Sequence, residues 1–170
     1  MTNDYLIHAR EFLVKYSKEL DDIYVTGSFF AFCYKNKLKF DAGATRRVII
    51  GDDFVIKFDK KHIGPVFSRF GNCYQEYKNW QMVQKDGYDY MFAAVTKMKA
   101  GHHYYYVMPK VNTEHSYIDY AWDLEELSDD EREYLMENFE DLHDSNYGFD
   151  DEGNLKIFDY AVTSEYFYSH

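Results

Sequence analysis

The 170-residue chain carries 30 acidic and 19 basic side chains, a net charge of −11 with histidine neutral. Aromatic residues make up 20% of it, including 18 Tyr and 14 Phe, which excludes a disordered chain and can furnish a packed core in spite of the charge. No apolar run approaches the roughly 20 residues that cross a bilayer, the N-terminus lacks the basic-then-apolar order of a signal peptide, and Cys33 and Cys73 lack metal-ligand spacing, so a cytoplasmic protein with reduced core thiols is expected.

Asp4 can cap a helix over about 5–20, where Leu6, Ala9, Leu13, Tyr16 and Leu20 recur at helical spacing. The aromatic and β-branched run over 23–34 reads as a strand or a buried irregular segment. Two apolar runs, 44–50 and 54–58, flank Gly51-Asp52-Asp53 and predict a hairpin. A helix follows over 72–84, with Cys73, Tyr77, Trp80 and Gln84 along one side. Residues 92–98 and 102–108 predict a second hairpin around Ala100-Gly101. Ser128 with Glu131 forms a capping box opening a helix over about 129–140. The last pair, 147–149 and 155–158, is joined by the polar turn 150–154. A mainly antiparallel set of strands, interrupted by one helix and followed by a mostly helical piece, argues for an α+β fold.

The charge is divided unevenly along the chain. Residues 1–110 hold 17 Lys/Arg and 12 Asp/Glu, whereas residues 111–170 hold 2 and 18. An acidic second half makes direct binding to nucleic acid unfavourable. It suits metal binding, a basic partner, mimicry of a polyanion, or plain solvation of the surface.

Three groups carry chemistry. Lys57 ends the apolar strand Phe54-Val55-Ile56-Lys57, where an inward ammonium needs a carboxylate to meet it; Glu76, one turn into the next helix, can supply one. Asp141 and Asn146 lie five apart on one polar loop that enters the last hairpin. Asp159 closes the returning strand Ile157-Phe158, so the hairpin brings Asn146 and Asp159 to one end as two oxygen ligands for Mg²⁺. A cation for the phosphates, oxygen ligands for a metal and a carboxylate for the attacking hydroxyl are what phosphoryl transfer requires.

The segment Asp141-Leu142-His143-Asp144-Ser145-Asn146-Tyr147-Gly148, with Ile157-Phe158-Asp159-Tyr160-Ala161, resembles the catalytic loop and metal-binding strand of protein-kinase-like enzymes. The likeness is greatest to aminoglycoside-type kinases and small kinase-like proteins of phages and bacteria. The resemblance implies that Asp141 is the catalytic aspartate and that Asn146 and Asp159 bind metal. It implies that Lys57 and Glu76 are the phosphate-binding lysine and its helix partner, with Gly43 in a reduced phosphate loop. Met108-Pro109-Lys110-Val111 matches the hinge, where the Pro109 carbonyl and the Val111 N–H would meet adenine.

The expectation is therefore a minimal kinase-like domain over 1–170. An N-terminal sheet lobe with an extra helix would occupy about 1–110 and a reduced, acidic, helical C-terminal lobe about 111–170. ATP and Mg²⁺ are the expected cofactors and a protein hydroxyl the expected acceptor, on a host protein if the chain is viral. His143 matches a loop-ordering position, and Asp144 has the wrong offset from Asn146 for the base. Only 11 residues follow Asp159, leaving no room for an activation segment; the N-terminal helix would cover part of the missing surface. The alternatives are a pseudokinase-like binding protein and an acidic polyanion mimic.

Overall fold

The structure is a computed structural model that describes residues 4–26, 28–43, 45–60, 72–114, 127–140, 142 and 146–163. It begins with three helices, α1 (Asp4–Lys15), α2 (Ser17–Thr26) and α3 (Phe29–Lys35). Strands β1 (Lys39–Asp41), β2 (Arg46–Ile50) and β3 (Phe54–Asp59) follow, and then α4 (Cys73–Asp86). A 3₁₀ turn (Asp89–Met91) leads into β4 (Thr96–Ala100) and β5 (His103–Pro109). The chain continues through α5 (Asp129–Asn138) to the short pair β6 (Tyr147–Phe149) and β7 (Leu155–Ile157). The first five strands form one antiparallel sheet in the order β1-β2-β3-β5-β4, and β6 pairs with β7. The architecture is α+β, as the sequence pattern predicts.

Alternation along the strands decides what each face of the sheet holds. Phe54, Ile56 and Phe58 of β3, with Tyr105 and Val107 of β5, point to one side. There they pack with Ala9, Leu13, Leu20, Phe29 and Cys33 of the three N-terminal helices. Tyr106 and Met108 point to the other side, into a second core with Cys73, Val83, Phe92, Leu135, Ile157 and Tyr160. Val55 and Lys57 fall on that second face by the same alternation.

Several details depart from the sequence expectation. The expected strand over 23–34 is not found among the described residues: 23–26 end α2 and 29–34 belong to α3. Phe29, Phe32 and Cys33 make one buried helical stripe, so their apolar richness reflects tertiary burial, not extended backbone. The single expected helix over 5–20 is two helices separated at Tyr16, and Asp4 sits inside the first turn of α1. β1 was not anticipated, and the second hairpin turns at Gly101-His102 between Ala100 and His103. The N-terminal helices cover the sheet face opposite Lys57. Both cysteines are free and buried, and burial pushes the Cys33 thiol up to about 11. The capping box at Ser128 is present in full.

One stitch joins the two sheets. Asn112, just past β5, exchanges backbone hydrogen bonds with Phe149 of β6 at 2.8 and 2.9 Å. This brings Gly148 so close that a Cβ there would lie 2.5 Å from the Asn112 carbonyl oxygen. Gly148→Ala is expected to cost about 1–3 kcal/mol by overpacking at this crossing. Urea unfolding measures it, and a change within a few tenths of a kcal/mol would refute the close approach.

Candidate active site

Lys57 is a mid-sheet lysine only 5% exposed, and its position follows from register: β2 pairs Val48 with Lys57, and β5 pairs Tyr106 with it. An ammonium so placed requires a counter-charge. Glu76 of α4, fully buried, supplies it with both oxygens, 3.0 and 3.1 Å from Lys57 Nζ. Helix α4 is aimed by its own start. Asn72 is its N-cap, accepting from Gln75 N–H, and the Cys73 N–H donates to Asp59 at the end of β3 (2.9 Å). That tie fixes the first turn of α4 beside β3, with Glu76 facing the sheet.

Glu76 also gathers two other partners. The Tyr160 N–H donates to Oε1 at 3.1 Å, and Arg46 Nη1 lies 3.5 Å from Oε2. The second nitrogen of the Arg46 fork contacts Asp159 Oδ1. Burial works against the Arg46 charge, but Asp159 and Glu76 outweigh it and hold its pKa above the ordinary arginine value. Two cations and two carboxylates therefore form one cluster.

Asp159 is held in the left-handed region at φ +61, which aspartate tolerates better than most residues. Its neighbour Tyr160 is tied three ways. Beyond its N–H bond to Glu76, its carbonyl accepts from Asn79 Nδ2 at 2.7 Å and its hydroxyl donates to the Ala93 carbonyl at 2.7 Å. Asn146 meets Asp159 across the last hairpin: its Nδ2 donates to the Asp159 carbonyl (3.4 Å), and its own carbonyl accepts from Phe158 N–H (2.7 Å).

The cluster lies at one end of a cleft of about 560 Å³, within the range of small-molecule sites. Val48, Ile50, Val55, Met108 and Phe158 give it apolar walls, and Asp41, Lys57, Lys110 and Asp159 are its charged lining. Pro109 and Val111 line it too, while the Lys110 N–H between them is occupied by the Asp53 carbonyl (2.9 Å).

Of the site residues expected from sequence, Lys57, Glu76, Asn146 and Asp159 converge, and Pro109 and Val111 share their cleft. Gly43 is not among the lining residues, and a Cβ there would meet nothing within 4 Å. Asp141, His143 and Asp144 lie outside the described residues. Arg46 is a member of the cluster that the sequence motifs do not single out. Its offset of two from Val48, which faces the cleft, was the available signal.

Asp159 and Asn146 offer a carboxylate and a carboxamide oxygen, the hard donors Mg²⁺ prefers, and Mg²⁺ takes few protein ligands when phosphates and water complete its shell. Their chemistry fits that ion, although Arg46 already answers the Asp159 charge. Among the described residues no group of three His, Cys, Asp or Glu side chains could hold a metal. No helix of the described residues is long and apolar enough to cross a membrane.

No protein-family model matches the chain, and no curated protein matches it. Among solved structures it is similar to WbdD in complex with a kinase inhibitor, at TM-score 0.43 and 17% identity over 73% of this chain and 32% of that one. It is also similar to a second structure of WbdD, described as a bifunctional kinase-methyltransferase, at TM-score 0.40 and 16% identity over 70% and 30%. The chain thus spans about a third of the length of those proteins.

The two partners of the buried pair differ in what their loss leaves behind. Glu76→Ala strands the buried Lys57 ammonium and the Tyr160 N–H and leaves Arg46 to Asp159 alone, and is expected to cost about 3–5 kcal/mol. Lys57→Met leaves Glu76 with Arg46 and Tyr160 and should cost at least about 1 kcal/mol less. Urea unfolding of both variants checks the order; the reverse order would contradict the network.

Proposed function

We propose that the chain is an ATP- and Mg²⁺-dependent phosphotransferase of the kinase-like type, acting in the cytoplasm on a protein Ser, Thr or Tyr hydroxyl. The observation that carries this reading is the buried Lys57–Glu76 pair on the wall of an apolar cleft that also holds Asp159. A lysine fixed by a carboxylate inside a ligand-sized cleft is poised for a polyanion, and the apolar walls suit a nucleotide base.

In this reading Lys57, oriented by Glu76, binds the α- and β-phosphates. Gly43 gives the reduced phosphate loop freedom to approach them. The Pro109 carbonyl accepts from the adenine amine, and the Val111 N–H donates to the ring. Asn146 and Asp159 hold Mg²⁺, which when bound neutralises charge on the phosphate oxygens. Asp141 accepts the proton of the acceptor hydroxyl as that oxygen attacks phosphorus. The sequence motif supports this last role. The place of Pro109 and Val111 on the cleft lining, with the Lys110 N–H between them bonded to Asp53, supports the adenine contacts.

A specific observation favours a second reading, a catalytically weak nucleotide-binding protein that acts on a partner. Arg46 sits on Asp159, a carboxylate that catalysis needs for metal. The exposed acidic residues Asp129, Asp130, Glu133 and Glu137 of α5 would then face a basic partner.

Mg²⁺·ATP is expected to raise the melting temperature, as any ligand selective for the native state must. Asp159→Asn, which keeps tolerance of the left-handed backbone, should lose the metal-dependent part of that shift. Asp141→Asn should keep ATP affinity and lose single-turnover transfer to cell extract. Binding without transfer by the wild type selects the second reading. No thermal shift at several millimolar ATP, with or without metal, overturns both.

A further inference from the structure

We propose that Arg46 is a built-in competitor of the divalent cation: its guanidinium holds the charge position at Asp159 in the ligand-free chain, and metal must displace it. The inference rests on reading Asp159 as a metal ligand, as set out under the proposed function.

The position of Arg46 comes from the sheet. Residues 46, 48 and 50 alternate onto one face of β2, and Val48 and Ile50 both line the cleft. Arg46 is the next member of that row, opposite Asp59 and beyond Lys57 along β3. Its side chain is therefore delivered to the end of the cleft where Asp159 and Glu76 lie, and it is only 14% exposed there.

The chemistry is that of a fork spanning two carboxylates. One guanidinium nitrogen contacts Asp159 and the other approaches Glu76 at 3.5 Å. A lysine could not bridge both with fixed geometry, and an arginine cannot shed its proton to make way for another cation. With Arg46 and Lys57 set against Glu76 and Asp159, the cluster is already neutral. A divalent ion added with the guanidinium in place would meet like charge at contact distance, so the two occupants exclude each other.

The two arms of the fork are not equally committed. Glu76 is fully buried and keeps Lys57 and the Tyr160 N–H if Arg46 moves. The Asp159 side chain is 39% exposed as a whole, although the Oδ1 under Arg46 is covered, so water reaches the carboxylate from its open side while the exchange uncovers Oδ1. Arg46 can therefore release Asp159 without stranding a buried charge. Once displaced it remains on the cleft face of β2, at the end where the phosphates of a nucleotide would lie, and can pair with them bidentately.

The test is Mn²⁺ titration without nucleotide, followed by the electron paramagnetic resonance signal of the free ion. Arg46→Gln is expected to bind Mn²⁺ at least about tenfold more tightly than the wild type. Arg46→Lys should fall between them, and adding Asp159→Asn to Arg46→Gln should abolish the gain. Equal or weaker binding by Arg46→Gln overturns the inference; if Mn²⁺ still binds both proteins with ATP, the site reading survives it. Mn²⁺ binding by none of the proteins, even with ATP, overturns both together. Should Arg46→Gln fail to fold, the wild type carries the test. The Arg46 Nε–H resonance should move on Mg²⁺ addition and stay still in Asp159→Asn, and a stationary wild-type resonance overturns the inference.

Discussion

Glu76 is a fully buried carboxylate, and the arrangement of the surrounding elements follows from the need to pair it. Lys57 reaches it from the middle of the sheet, Arg46 from the neighbouring strand, and the Tyr160 backbone from the far end of the chain. Taking these charges out of water costs several kcal/mol for each ion, and a well-packed apolar quartet would be as stable or more so. The fold gains position from the cluster more than stability. It locks α4 against β3 and fixes residues 157–163, 84 positions downstream of Glu76 at Tyr160, onto both.

The same tie explains how Asp159 is held. A non-glycine residue in the left-handed region persists when its surroundings over-determine it. Here the next residue uses its N–H and its carbonyl on α4 and its side-chain hydroxyl on the segment that leads into β4, while Asn146 and Phe158 close the hairpin on the other side. Such strained, over-determined positions concentrate where a side chain must be presented in one direction. The Asp159 carboxylate is presented to the cleft and to Arg46.

Much of this was legible from residue patterns because period-two alternation is strict. Once 54–58 reads as a strand with Phe54, Ile56 and Phe58 buried, Lys57 must lie on the opposite face. A lysine on a covered face needs a carboxylate from the next element. The convergence of Asn146 and Asp159 follows likewise from a hairpin with a short polar turn, which Asp150 closes by accepting from the N–H groups of Glu152 and Asn154. Residues 23–34 misled for a physical reason: the outer face of α3 carries Phe30, Ala31 and Tyr34, exposed but not polar, so it lacks the polar stripe that would reveal the helical period. β1 is three residues long at a sheet edge, too short for any pattern. The role of Arg46 depends on the register of β2 against β3, a long-range fact that local composition does not encode.

On the proposed reading, a polyphosphate ligand would be drawn to Lys57, with its ring between Val48, Val55 and Phe158 of the cleft lining. The most direct measurement is covalent: an acyl-phosphate derivative of ATP, whose acyl carbon is attacked by a nearby amine with release of ATP, followed by peptide mapping. The account predicts that Lys57 is acylated and that excess ATP protects it. Acylation confined to exposed lysines, with Lys57 untouched or unprotected by ATP, would contradict it.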